Sequence, residues 1–184
     1  MRINRESKKC MSNPLNSAFW IWDNKKTEVN TYLIFQKQFE IKNINPNNKY
    51  TLFISADSQY EVFINGSFIG SGQYPDYECY KVYDEFDVGH NLKAGDNQLI
   101  INAYWQGESS FTYKLAQAGI IFALYKNDVV LIHSDETTLC AEYTNYKSGH
   151  IEKITPQLSF SFKYDARETL PPFKPADIIH KTVK

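Results

Sequence analysis

The stretch YEVFINGSFIGSG, Tyr60 to Gly72, alternates apolar and polar residues, reverses at Asn65-Gly66, and alternates again. Both central residues of a type I′ turn need positive φ, which asparagine and glycine tolerate. An Asn-Gly pair between two alternating runs therefore commits the chain to a β-hairpin. The run just before it, YTLFISA, sets Tyr50, Leu52 and Ile54 on one face and Thr51, Phe53 and Ser55 on the other. Strand signals recur along the sequence. TYLIFQKQFEI is expected to bury Tyr32, Ile34 and Phe39, and QLIINAYW reads as a strand covered on both faces at its centre. GIIFALY and VVLIHSD flank Lys126-Asn127-Asp128 as a second hairpin, and TPQLSFSFKYDA sets Leu158, Phe160 and Phe162 on one face.

No amphipathic helical pattern longer than about two turns competes with these runs. About eight to ten short strands with regular turn signals predict an all-β sandwich. The longer connections suit a jelly roll, in which strands cross between two sheets. The abundance of rings, 13 Tyr, 12 Phe and 3 Trp, agrees, because aromatic side chains suit a pleated, half-buried surface. Most of these rings are expected in the core, with Trp20 and Trp22 on one face, one of them in the core and the other over a sheet edge. By these signals residues 1–17 form a disordered N-terminal segment and residues 18–167 the sandwich. Residues 168–184, rich in proline, form a linker or docking tail.

Charge and cysteine usage narrow the function classes. A net charge of −1 with no basic run gives no electrostatic footprint for nucleic acid or an anionic membrane. No segment reads as a secretory signal or a membrane span, and Cys10, Cys79 and Cys140 have no paired spacing. Three free thiols and a cytoplasmic setting are the expectation.

Catalytic signals are thin. His90, His133, His150 and His180 lack metal-ligand spacing, and no glycine-rich phosphate loop or G-x-S-x-G elbow occurs. YDEFD gathers Asp84, Glu85 and Asp87, read as solvated strand-end residues, with a structural calcium as the alternative. Binding chemistry is better represented. Sugars offer apolar C–H faces and a rim of hydroxyls, which aromatic platforms with amide and carboxylate neighbours complement. NAYWQGESSFTY carries that mixture in Tyr104, Trp105, Gln106 and Glu108, and the loop GQYPDYECY carries it in Tyr74, Asp76 and Tyr77. A tryptophan at Trp105 that closes the core or faces another domain is the competing reading.

The elements ISADSQYEVFINGSFIG, YDEFDV, LKAGDNQLIINAYWQG and SFKYDAR, read in that order, resemble the N-terminal accessory domain of bacterial α-L-rhamnosidases. The similarity covers most of Trp20 to Arg167. The Asn-Gly hairpin followed by an apolar strand is common among jelly-roll modules of glycosidases, while ISADSQYEVFING with SFKYDAR points to rhamnosidases in particular. The resemblance implies a jelly-roll β-sandwich of the galactose-binding-like type. It also implies that the catalytic carboxylates belong to a helical barrel, which these 184 residues do not contain. The chain is then a non-catalytic, carbohydrate-binding-like module, without a cofactor, whose partners are that catalytic domain and rhamnose-containing carbohydrate. The alternative is a purely structural module that orients the barrel through an apolar patch including Phe173 and the ADII tail.

Overall fold

The computed structural model describes residues 13–73, 76–155 and 157–180. They form an antiparallel β-sandwich. In chain order the strands are β1 (Ile21–Trp22), β2 (Thr31–Ile41), β3 (Tyr50–Ala56), β4 (Gln59–Ile64), β5 (Ser67–Gly72), β6 (Asp84–Asp87) and β7 (Gly95–Trp105). There follow β8 (Ile120–Lys126), β9 (Val129–His133), β10 (Leu139–Glu142), β11 (Lys153–Thr155), β12 (Ser159–Phe160), β13 (Lys174–Pro175) and β14 (Asp177–Ile178). One sheet runs β14-β1-β8-β3-β6 with β9 also beside β8, and the other runs β13-β10-β2-β7-β4-β5. A small hairpin, β11-β12, stands apart from both. Successive strands change sheets repeatedly, as the long connections predicted, and the architecture is a jelly roll. No described helix is long and apolar enough to cross a membrane.

The Asn-Gly hairpin joins β4 to β5, with Asn65 at φ 51° and Gly66 at φ 81°. Asn65 also anchors the neighbouring turn, donating through Nδ2 to Asn91 O and Asn97 Oδ1. The core lies between the sheets. Tyr60, Val62 and Ile64 of β4 and Leu99, Ile101 and Ala103 of β7 meet Leu52, Ile54, Phe122 and Leu124 of β3 and β8. Each fully buried large apolar side chain contributes about 1.5–3 kcal/mol. Trp22 and Phe35 join the sheets with ring centroids 5.8 Å apart. Trp20 and Trp22 are both buried, so neither serves merely as an edge cover.

Strand β2 corrects one expectation. Its register against β7 pairs Leu33 with Ala103 and Phe35 with Ile101, which turns Leu33 and Phe35 inward. Tyr32 falls opposite Tyr104 on the outer face and is only half-buried. Ile34 is buried as expected and Phe39 packs against the core on the same face as Leu33 and Phe35, so the correction falls on Tyr32 alone.

Both ends of the described chain join the sandwich. Leu15 enters the core, and Pro14 O accepts from the Tyr125 hydroxyl at 2.8 Å. Within the proline-rich tail, β13 pairs with β10 of one sheet and β14 with β1 of the other. Ala176 and Ile179 are buried, so the ADII segment covers the sandwich's own edge instead of forming an exposed patch. Ala176 and Ile179 thus serve the chain's own fold, while Leu170 of the same tail stays exposed.

Candidate functional site

Alternation along β7 decides what this surface can do. Ala103 points into the core, while Asn102 and Tyr104 point outward. Cross-strand pairing sets Tyr32 beside Tyr104 and Glu61 beside Asn102 on the same outer face. After β10 the chain keeps its hydrogen bonding to β2, Tyr143 N donating to Tyr32 O at 2.9 Å, and then turns so that Tyr146 covers Tyr32. The Tyr32 and Tyr146 rings are stacked, centroids 4.6 Å apart and planes 14° from parallel. Tyr104 adjoins Tyr32 at 4.8 Å, and Tyr164 meets Tyr146 at 4.9 Å.

The β11-β12 hairpin rises beside this cluster and makes it a cleft of about 660 Å³, walled by Ile154, Leu158, Phe160 and Phe162. That volume lies within the usual range for small-molecule sites. Several rings and apolar side chains at the rim stay open to solvent, Phe162 at 69% and Leu158 at 56% exposure. Lys153 ties the hairpin to the end of β7 through its ion pair with Glu108 and lies over the Phe160 ring.

The floor is polar. Asn102 Nδ2 donates to Glu61 Oε2 at 3.3 Å, while Asn102 Oδ1 is buried with no hydrogen-bond partner. An unpaired buried acceptor costs free energy unless something else fills it. The tyrosines hold their protons. Burial, reinforced by neighbouring tyrosines, raises Tyr32, and burial raises Tyr104 to about 12. Tyr143 and Tyr146 are raised by burial and, further, by Tyr164 and Glu61. At neutral pH the phenols offer both donors and acceptors beside apolar ring faces. Glu61 is the one carboxylate among the lining residues.

The structure separates the residues singled out in the sequence. Tyr104 and Gln106 line this cleft. Gln106 is buried and self-engaged, its Nε2 donating to Glu108 O at 2.8 Å. Trp105, one residue from Tyr104, points the other way. It packs against the core, donates Nε1 to Ala116 O at 3.1 Å, and borders a different cleft of about 500 Å³ with Trp22 and Leu115. Glu108 is paired with Lys153. Asp76 is locked in a buried ion pair with Lys81, and Tyr77 stands exposed at a bridge with Tyr80. Tyr74 lies outside the described residues, as does Cys10.

Tyr32, Glu61, Asn102, Tyr143 and Tyr146 were not singled out. Two of them had a signal. With Tyr60 and Val62 inward, Glu61 must face out, and with Ala103 inward, so must Asn102. Asp84, Glu85 and Asp87 are engaged separately, by the Tyr60 hydroxyl, by Lys49 Nζ and by Gly89 N. Among the described residues no three His, Cys, Asp or Glu side chains are grouped to hold a metal ion.

No family model and no curated protein matches the sequence. Solved structures match well. The GH78 family rhamnosidase of Bacillus sp. GL1 aligns over 89% of this chain with a TM-score of 0.81 at 24% identity, using 18% of its own length. The α-L-rhamnosidase from Dictyoglumus thermophilum aligns over 90% with a TM-score of 0.63 at 19% identity, using 21% of its length. The lectin of the fungus Pleurotus ostreatus aligns over 92% with a TM-score of 0.52 at 19% identity, using 43% of its length. What is shared is the fold. The chain spans about a fifth of the length of these rhamnosidases, and has the architecture of one segment of them.

Proposed function

We propose that this chain is a non-catalytic carbohydrate-binding module of an α-L-rhamnosidase-like glycoside hydrolase, and that the tyrosine cleft is its sugar site. The observation that carries the reading is the exposed Glu61 carboxylate in a cleft lined by clustered tyrosine rings, with Asn102 donating to it from the neighbouring strand. A sugar laid in the cleft places its C–H face on tyrosine and its hydroxyls on Glu61 and the phenols, while Asn102 orients Glu61. Hydrolysis by the usual two-carboxylate route needs a facing pair, and the lining supplies one carboxylate. The catalytic partner is then a separate domain, in keeping with the small share of each matched rhamnosidase that this fold occupies. Free thiols at Cys79 and Cys140 support a reducing, cytoplasmic setting.

The test is calorimetric titration with L-rhamnose, present in the matched Streptomyces avermitilis enzyme structure, and with GalNAc, present in the matched lectin structure. Saturable binding that disappears in Tyr146→Ala and in Asn102→Ala supports the site. No heat with either sugar or with a rhamnosylated glycoside at tens of millimolar ends the reading. A purely structural role has its own support in the exposed Ile154, Leu158 and Phe162 on the hairpin, a surface that a neighbouring domain could cover. That role predicts protection of the hairpin amides from hydrogen exchange when a catalytic domain is present, with no response to sugar.

A further inference from the structure

Charge is distributed unevenly around the tyrosine cleft. Among the described residues, none that lines the cleft is basic. Glu61 stands exposed on the outer face of β4, and no described cation lies within ion-pair distance of it. Lys153, on the hairpin, is already neutralised by Glu108. Glu61 takes a proton donor from Asn102, and the same amide leaves its oxygen free. The floor therefore presents the exposed Glu61 carboxylate, with the Asn102 amide oxygen buried beside it. The ring faces add to this, because the face of an aromatic ring is the negative side of its quadrupole. Glu61 is near enough to the rim to help raise Tyr143 and Tyr146, behind the larger effect of burial.

A ligand entering such a site meets neutral donors on the phenols, on Gln59 and on the serine hydroxyls, and a single formal charge, the negative one of Glu61. Resting on the reading of this cleft as a sugar site, we infer that Glu61 determines specificity by sorting sugars according to charge. Sugars bearing a protonated amine bind ahead of neutral sugars of the same configuration, and uronic acids bind behind them. An ammonium opposite Glu61 gains an exposed ion pair, partly desolvated by the tyrosines. A uronate brings a second carboxylate to a cleft whose lining holds no cation to answer it. For exposed charges each step is about two- to fivefold in Kd at low salt, and screening compresses it.

The experiment uses the whole chain and two sugar series, galactosamine, galactose and galacturonate, and glucosamine, glucose and glucuronate. Kd values are measured by calorimetry at about pH 6, where the sugar amine is protonated and the uronate ionised. The expected order is amine, neutral, uronate, with the spread narrowing in about 0.5 M salt. Glu61→Gln brings the ratios between the three close to one, and Glu61→Lys inverts the order. Circular dichroism of both variants confirms that they are folded. A uronate that binds as tightly as its neutral counterpart, or an order that survives in both variants, overturns the inference and leaves the sugar site standing. Failure of every sugar, L-rhamnose included, overturns the sugar site and this inference with it.

Discussion

The loop that follows β5 and the outer face of β2, β7 and β4 both gather carboxylates, amides and tyrosines, and they treat them oppositely. In the loop, Lys81 Nζ lies 3.0 Å from Asp57 and 2.6 Å from Asp76, with the three side chains 5%, 1% and 6% exposed. The Tyr113 hydroxyl donates to Asp57, and Gln73 Nε2 and Val82 N donate to Asp76. The polar groups there answer one another. On the outer face, Asn102 keeps an unpartnered oxygen and Glu61 an unpaired charge among the described residues. Similar residue types make a structural clasp in one place and a receptive surface in the other. What separates the two is unused hydrogen-bonding capacity.

The largest expected effect comes from breaking the clasp. Lys81→Met leaves two carboxylates buried without their cation, and a broken buried ion network costs about 3–5 kcal/mol. Urea denaturation measures this directly, and a loss below about 1 kcal/mol shows that the loop is held by other contacts. Trp105→Ala follows at about 2–3 kcal/mol, less than a full core tryptophan because the ring is only partly buried. Its neighbour sharpens the contrast. Tyr104→Ala is expected to weaken sugar binding at least tenfold, while Trp105→Ala leaves the measured Kd within about twofold, since the two rings border different clefts.

Tyr113→Phe removes one donor to a buried carboxylate that Lys81 still serves, and is expected to cost about 1.5 kcal/mol. The same hydroxyl sets an alkaline limit. Burial, and then Asp57, raise the Tyr113 phenol in the folded chain, whereas an unfolded tyrosine titrates near 10. Below about pH 10 both states keep the proton and the contribution of Tyr113 is complete. As the pH rises beyond that value the unfolded state alone ionises, and stability falls toward the higher folded value. The fall in denaturation midpoint above about pH 10 is expected to be shallower in Tyr113→Phe than in the parent.

The same division explains what the sequence disclosed. The hairpin at Asn65-Gly66, the inward faces of β3 and β4, and the jelly-roll class all rest on local chemistry and a period of two. They were legible. For Trp105 the sequence left two readings open, and the strand's phase packs its ring partly against the core while leaving an edge on a second cleft. Asp76 and Glu108 looked available because their partners, Lys81 and Lys153, come from other parts of the loop and from a distant hairpin. The cleft joins β2, β4 and β7 with residues after β10, and only the strand order places Tyr32, Tyr104 and Tyr146 together. Nothing in the local spacing of these tyrosines announces that meeting. The burial of Ala176 and Ile179 was hidden for a similar reason, since the short pairings of β13 and β14 depend on edges formed far earlier in the chain.

The smallest effect is also the most discriminating. Asn102 stands mid-strand on β7, where a β-branched residue suits the pleat, and its Oδ1 is buried without a partner. Its amide bond to Glu61, at 3.3 Å on an exposed partner, is weak. Asn102→Val removes the unsatisfied acceptor and adds strand propensity, so stability is expected to rise by about 0.5 kcal/mol. Asp76→Val in the clasp is expected to do the reverse, because it strands the Val82 N–H and takes one acceptor each from Lys81 and Gln73. A residue kept for the fold costs stability when it is replaced. A residue kept for a ligand releases some, and takes the ligand with it. If Asn102→Val destabilises the chain as Asp76→Val does, the outer face is a second structural knot and the cleft loses its claim as a binding site. If it stabilises the chain and abolishes sugar binding, Asn102 is kept for the ligand at a cost to the fold.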